Sequence, residues 1–357
     1  MRITCVEAWR EDLPLRAPYR IAYETIDRCE VVFVRLLTDG RATGLGAGTP
    51  DPALTRETAA ETLAAVEDVA RPLLEGEDPL RPGLHLERFR EPLSGRPAAR
   101  AALDLALHDL LGRAAGLPLW RLLGGYRSAM PTSVTIGIVP ADETVERARE
   151  LVGRGFRCLK LKGGDDPEAD ADRMRRVREA VGGEIELRFD ANQGYTVEGA
   201  LLFVERVRDV GIELLEQPTP AGEPDLLGRV TRAVHLPVMA DESLLGLREA
   251  FRLARGEMAD MINIKLQKIG GLAEALRINA VARAAGLETM VGCLDEPALG
   301  IAAGLAFGLA SPNVAYADLD GHLDLAEDPT AGAVVLEDGL LRPTELPGLG
   351  LEGEPFG

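Results

Sequence analysis

From Met130 onward, apolar and polar residues follow two rhythms that trade places roughly every 25 residues. Short apolar runs of strand character, "TSVTIGI", "RCLKLK", "EIELRFD", "IELLEQP", "VMADES", "MINIKL", "LETMVG" and "NVAYADLD", are each preceded or followed by segments such as "ADETVERARELVGRG" and "TVEGALLFVERVRDVG", whose apolar residues recur at helical spacing. Eight such strands through residue 320 predict a β/α barrel rather than an open sheet with one switch point. Residues 1 to about 50 read differently. "ITCVEAW" alternates as a strand, "LPLRAPYR" reads as a Pro-rich turn, and "CEVVFVRLLTDGRATGLGAG" predicts a hairpin turning at Asp39-Gly40. After Pro52, "LTRETAAETLAAVEDVARPLL" and "PAARAALDLALHDLLGRAAG" predict helices, so a small strand-then-helix domain fits residues 1 to about 125. The last segment, "GAVVLEDGLLRP", predicts a hairpin that packs back on that first domain.

The charge balance narrows the partners. With 40 Lys and Arg against 58 Asp and Glu, the formal charge of -18 disfavours nucleic acid or an anionic membrane as a general partner. The start "MRITCVEAWREDLPL" lacks the apolar run of a signal peptide, and "IAAGLAFGLA" is too short to span a bilayer, so a cytoplasmic protein is expected. Cys5, Cys29, Cys158 and Cys293 form no CxxC pair, and the four histidines are scattered, which leaves no sign of a zinc knuckle or a His-based metal centre. Gly44, Gly46 and Gly48 are too closely spaced, and lack the capped helix, for a dinucleotide fingerprint.

In a barrel, residues at the C-terminal ends of the strands face the catalytic mouth. Here these are Lys160 and Lys162, Asp190, Glu216, Asp241, Lys265, and Asp318 with Asp320. Asp190, Glu216 and Asp241 end three consecutive strands; converging carboxylates repel unless a cation lies between them, and an all-oxygen set suits Mg²⁺. Lys160 and Lys162 are two apart and share a face, and inward is the face on which both stay charged beside the acids. Lys160 is expected to lower the pKa of Lys162, with the acids pulling the other way. Lys265 arrives from the opposite wall. Two bases and a metal are what removal of a weakly acidic proton α to a carboxylate requires. A Schiff-base role for a lysine would leave the acidic trio unexplained. Gly163-Gly164 is expected to form a tight strand exit that leaves room for substrate.

With "KLK" at 160–162, "DANQGY" from Asp190, "LLEQP" around Glu216, "ADES" from Asp241, "NIKLQKIGG" around Lys265 and "GCLDEPALGIAAG" from Gly292, the chain resembles the enolase superfamily. Within it the resemblance is to the muconate-lactonising subgroup and its dipeptide epimerases, including the L-Ala-D/L-Glu type. It implies an α/β protein with a modified (β/α)7β TIM-type barrel at 126–320, an α+β capping domain at 1–125, and a segment at 321–357 that returns to the cap. It further implies that Lys162 and Lys265 are the acid/base pair, that Lys160 assists them electrostatically, and that Asp190, Glu216 and Asp241 bind Mg²⁺. Asp318 and Asp320 would receive the free α-ammonium of a small dipeptide, and Arg20 a substrate carboxylate, with Glu296 and Asp295 also at the substrate. Asp295 departs from the small or apolar residue common in Ala-Glu epimerases, and if it points inward it works against an acidic second residue. The alternative is an N-acylamino acid racemase or another member of the subgroup. A homo-oligomer is expected.

Overall fold

The computed structural model describes residues 1–40, 42–353 and 355–356; Arg41 of the expected hairpin, and Glu354 and Gly357 of the expected C-terminal segment, lie outside the described residues. The N-terminal strands β1 (Ile3–Arg20), β2 (Thr25–Thr38) and β3 (Gly44–Gly48) form an antiparallel sheet in that order. The β2–β3 pair is the expected hairpin. "LPLRAPYR", by contrast, is not a turn, because β1 runs through it to Arg20. Its prolines lack a donor, but β1 is an edge strand and its register slips between Pro14 and Tyr19, where ladder bonds are already interrupted. The chain reverses one step later, with Ile21 N donating to Glu24 O at 3.0 Å. That displacement carries Tyr19, Ile21, Tyr23 and Glu24 to the cavity over the barrel.

Helices at 59–74 and Pro97–Ala115 cover this sheet. Thr58 and Glu61 cap the first reciprocally, as a capping box. The second explains the glycine spacing of β3. A Cβ at Gly44, Gly46 or Gly48 would fall 2.3, 2.0 or 2.5 Å from the carbonyl oxygens of Ala106, Ala102 and Ala98, so helix backbone rests directly on strand backbone. Buried Asp109 of this helix accepts from Leu45 N at 2.9 Å, Leu349 N at 2.7 Å and Arg113 Nε at 2.8 Å, tying strand, helix and C-terminal tail together.

A two-residue strand, β4 (Met130–Pro131), precedes the barrel. The barrel strands are β5 (Val134–Ile136), β6 (Cys158–Lys162), β7 (Glu186–Asp190), β8 (Leu215–Glu216), β9 (Val238–Ala240), β10 (Met261–Lys265), β11 (Glu288–Gly292) and β12 (Val314–Asp318), each parallel to the next. Ser133 N donates to Ala317 O at 3.1 Å and brings the two ends of the ring together. This is the expected modified barrel under a cap. The hairpin β13 (Val334–Glu337) and β14 (Leu340–Pro343) pairs with β4 in its own sheet rather than docking on the N-terminal one. The return to the cap is made further on: Leu119 N donates to Gly348 O at 2.8 Å, and Phe356 packs against Trp9 and Phe33. Leu13, Val31 and Phe33 of the cap share one apolar core with Leu159, Leu161 and Ile264 of the barrel. Among the described residues, no helix is long and apolar enough to cross a membrane.

Gly46→Ala is expected to destabilise the fold by about 1–3 kcal/mol through overpacking. Gly183→Ala, where an added Cβ meets nothing within 4 Å, should change stability by less than about 0.5 kcal/mol. Thermal denaturation of the pair checks this.

Candidate active site

All five residues of β6 are buried, and alternation sends Lys160 and Lys162 into the barrel while Leu159 and Leu161 join the apolar core around it. Lys160 Nζ lies 2.7 Å from Glu216 Oε2, 2.8 Å from Asp318 Oδ2 and 3.1 Å from Asp190 Oδ2. Burial alone would lower its pKa, but Asp318, Glu216 and Asp190 raise it well above the usual lysine value. Lys162 Nζ donates to Asp190 Oδ2 at 2.8 Å, and Lys265 Nζ lies 2.8 Å from Asp241 Oδ2. Lys265 is likewise raised: Asp241 outweighs both burial and the neighbouring Lys160. Strands β6 and β10 are four apart in the ring of eight, so Lys162 and Lys265 approach from opposite walls.

Between them, Asp190, Glu216 and Asp241 close β7, β8 and the turn after β9, with one oxygen of each within 4.8 Å of the others and all three residues buried. At that spacing two carboxylate charges repel by roughly 3 kcal/mol at an effective dielectric of about 20, so the cluster requires positive charge. Against the cost of burial, Lys162 and Lys160 hold Asp190 below the usual carboxylate range, and Lys265 and Lys268 do the same for Asp241. Glu216 is pushed up to about 7 by burial and by Asp190. Glu216 Oε2 and Asp241 Oδ2 have no partner of hydrogen-bond geometry, although ammonium groups stand within ion-pair distance. Buried oxygens only, converging, with two left without a hydrogen bond, are a donor set that fits Mg²⁺.

A cavity of about 430 Å³ opens above this cluster, beneath the 21–30 and 49–54 segments of the cap. Asp318 and Asp320 line it. Asp318 accepts from Ser133 Oγ at 2.6 Å and from Lys160; burial opposes its charge, but Lys160 holds it down to about 2. Asp320 accepts from Thr135 N at 2.6 Å, and burial together with Asp318 pushes it up to about 7. Asp295 does point inward: it lines the cavity, accepts from Tyr19 Oη at 2.8 Å, and is raised to about 6 by burial.

Two residues expected at the substrate stand elsewhere. Arg20 pairs with Asp165 at 2.7 Å on the surface and does not line the cavity, because the reversal at 21–24 puts Tyr23 and Glu24 there instead. Glu296 is buried behind the wall, accepting from Gln267 Nε2 at 2.8 Å and pressed against Gly300. Gly163 and Gly164 leave no room for substrate either. A Cβ on them would fall 2.3 Å from Phe189 Cζ and 2.2 Å from Ala191 O, so they allow the exits of β6 and β7 to pack.

Other residues have a part that the strand-end reading did not assign. Lys268 is buried and donates to Asp241 Oδ1 at 2.5 Å and to Asn263 O at 3.2 Å, while Asn263 Nδ2 donates to Glu216 Oε1 at 2.7 Å. Gln217 Oε1 accepts from Asp241 N at 2.9 Å and Ser243 N at 3.1 Å, fixing the turn that presents Asp241. Glu242, also on that turn, lines the cavity and accepts from Asn192 Nδ2 at 3.2 Å. The signal was local: Lys268 follows Lys265 by one helical turn, and Glu242 follows Asp241 directly.

Comparison with known proteins places this geometry in a family. Residues 3–124 match the mandelate racemase / muconate lactonizing enzyme N-terminal domain, and residues 143–355 match the enolase C-terminal domain-like family. The chain is 45% identical over 352 residues to an L-Lys-D/L-Arg epimerase of Methylococcus capsulatus, covering 98% of this chain and 99% of that one. It is 36% identical to the L-Ala-D/L-Glu epimerase of Bacillus subtilis, covering 99% and 97%. Its fold matches the crystal structure of a dipeptide epimerase from Enterococcus faecalis complexed with Mg and L-Leu-L-Tyr, with a TM-score of 0.96 at 38% identity over 99% and 100% of the two chains. The chain belongs to the enolase superfamily, in the mandelate racemase / muconate-lactonizing group and close to its dipeptide epimerases.

Proposed function

We propose that the protein is a Mg²⁺-dependent dipeptide epimerase that inverts the α-carbon of the C-terminal residue of an L,L-dipeptide. The observation that carries this reading is the placement of Lys162 and Lys265 on opposite walls, with the three-carboxylate cluster between them. Asp190, Glu216 and Asp241 would hold Mg²⁺. When bound, the ion supplies positive charge that offsets these acids and Lewis-acid stabilisation of the negative charge developing on the substrate carboxylate.

The lysines divide by their contacts. Lys160 is committed to three carboxylates, and Lys268 to Asp241 and backbone oxygens. Lys162 and Lys265 each have an ion pair with a single carboxylate, and they are the pair free to exchange a proton with substrate. One takes the α-proton from its face, and the other delivers a proton to the opposite face. Lys160 holds positive charge beside them, and Lys268 positions Asp241. Asp318 and Asp320 receive the free α-ammonium group, which favours a dipeptide over an N-acylamino acid. The reading includes the cap at 1–125, the barrel at 126–320 and the returning segment at 321–357. A cytoplasmic location is supported by four cysteines that are all free.

Lys162→Ala and Lys265→Ala should each lower epimerisation by about 10²–10⁴-fold, followed by chiral chromatography, while Mg²⁺ affinity measured by calorimetry is retained. Activity surviving both substitutions contradicts the assignment. Chelation should abolish turnover and Mg²⁺ restore it, whereas Asp241→Asn should not be restored at the same metal concentration. Free dipeptides should be epimerised in preference to N-succinyl and N-acetyl amino acids, and Asp320→Asn should narrow that preference by raising KM for the free amine. An N-acyl substrate turned over faster than any dipeptide would favour the racemase reading.

A further inference from the structure

The cavity carries more carboxyl groups than the proton transfer uses. Its cap side carries Glu24 and Asp51, its barrel side Glu242, and its far wall Asp295 and Asp324. Glu242 is 6% exposed, and its Oε2 has no hydrogen-bond partner among the described residues. Tyr23 lies within the electrostatic reach of Glu242, Asp51 and Lys265, and Glu24 within that of Asp51, so these acids form one wall that ends beside the base Lys265. Ile21, Leu54, Pro50 and Pro52 line the same side and give it an apolar floor.

The four substituents of the reacting carbon decide what this wall meets. On the dipeptide reading, the carboxylate faces Asp190, Glu216 and Asp241, the peptide nitrogen leads toward Asp318 and Asp320, and hydrogen is exchanged along the Lys162–Lys265 line. The remaining substituent, the side chain of the epimerised residue, has only the cap side left to it. A side chain there passes over apolar surface and then meets carboxylates, which suits a long aliphatic stem with a cationic head and excludes an acidic one.

We propose that Glu24, Asp51 and Glu242 form a subsite, around Tyr23, for a lysine- or arginine-type side chain on the residue that is epimerised. The inference rests on the dipeptide-epimerase reading and adds the charge of one side chain and the residues that read it. Asp51 Oδ1 is engaged by the backbone N–H groups of Ala53 and Leu54, so the 49–54 segment is held in place by the same carboxylate that faces the ligand.

The test compares L-Ala-L-Lys with L-Ala-L-norleucine, which has the same stem without the ammonium, and with L-Ala-L-Glu. The lysine dipeptide should exceed norleucine by at least about tenfold in kcat/KM, chiefly through KM, with the glutamate dipeptide lowest. In Glu24→Gln/Asp51→Asn the lysine-to-norleucine ratio should fall by about tenfold; taken within one preparation, that ratio is insensitive to the fraction of folded enzyme. Norleucine turned over as well as lysine, or an unchanged ratio in the double variant, overturns the subsite while leaving the epimerase reading intact. No epimerisation of any of the three, or of a mixed dipeptide library, overturns the reading beneath it.

Discussion

Lys160 Nζ lies within 3.1 Å of carboxylates on Asp190, Glu216 and Asp318, and Lys162, Lys265 and Lys268 complete the ion pairing of Asp190 and Asp241. Four ammonium groups therefore offset four carboxylates in a place where all eight side chains are buried. An uncompensated charge in such a place would cost several kcal/mol, so no member can be removed without leaving its partner exposed to that cost. The barrel supplies what this balance needs: strand alternation turns Lys160 and Lys162 inward, the turn after β9 presents Asp241, and the short helix Leu266–Ile269 after β10 brings Lys268 against it. The chemistry follows from the same balance, because a divalent cation brings the charge of two ammoniums and makes neutral lysines affordable.

Much of this was legible in the chain because the barrel repeats. A strand end recurs about every 25 residues, and the polar residue at each end stands out against the apolar run before it, which is why Lys160, Lys162, Asp190, Glu216, Asp241, Lys265 and Asp318 could be located without coordinates. What did not show was anything set by contacts between distant segments. Arg20 reads as a candidate ligand, but a strand continuing through two prolines turns it to the surface and delivers Glu24 in its place. Glu296 sits next to a cavity residue in sequence, yet Cys293, Leu294 and Asp295 of the loop after β11 all line the cavity while Glu296 ends against Gln267. No strand period governs this loop, so the chain alone does not tell where its cavity lining ends.

The glycines make the same point. Gly44, Gly46 and Gly48 look like punctuation in a strand, and Gly163-Gly164 like space for a substrate; both sets instead let backbone approach backbone, at the cap helix and between two strand exits. The cap is fixed on the barrel by other contacts, where Thr49 N donates to Gln267 Oε1 at 2.9 Å and Ala273 N to Asp104 Oδ2 at 3.0 Å. Its 21–24 reversal and 49–54 segment form the wall of the cavity that faces the barrel mouth.

The central claim is that two different lysines serve the two faces of one carbon. It is tested most directly by running the L,L-dipeptide in D₂O with Mg²⁺ and measuring the α-hydrogen of the L,D product by mass spectrometry at low conversion. Two bases predict a product that carries solvent deuterium at that carbon from the first turnovers. A product that retains the substrate's own α-hydrogen would mean that a single base carries the proton across, and it would contradict the account.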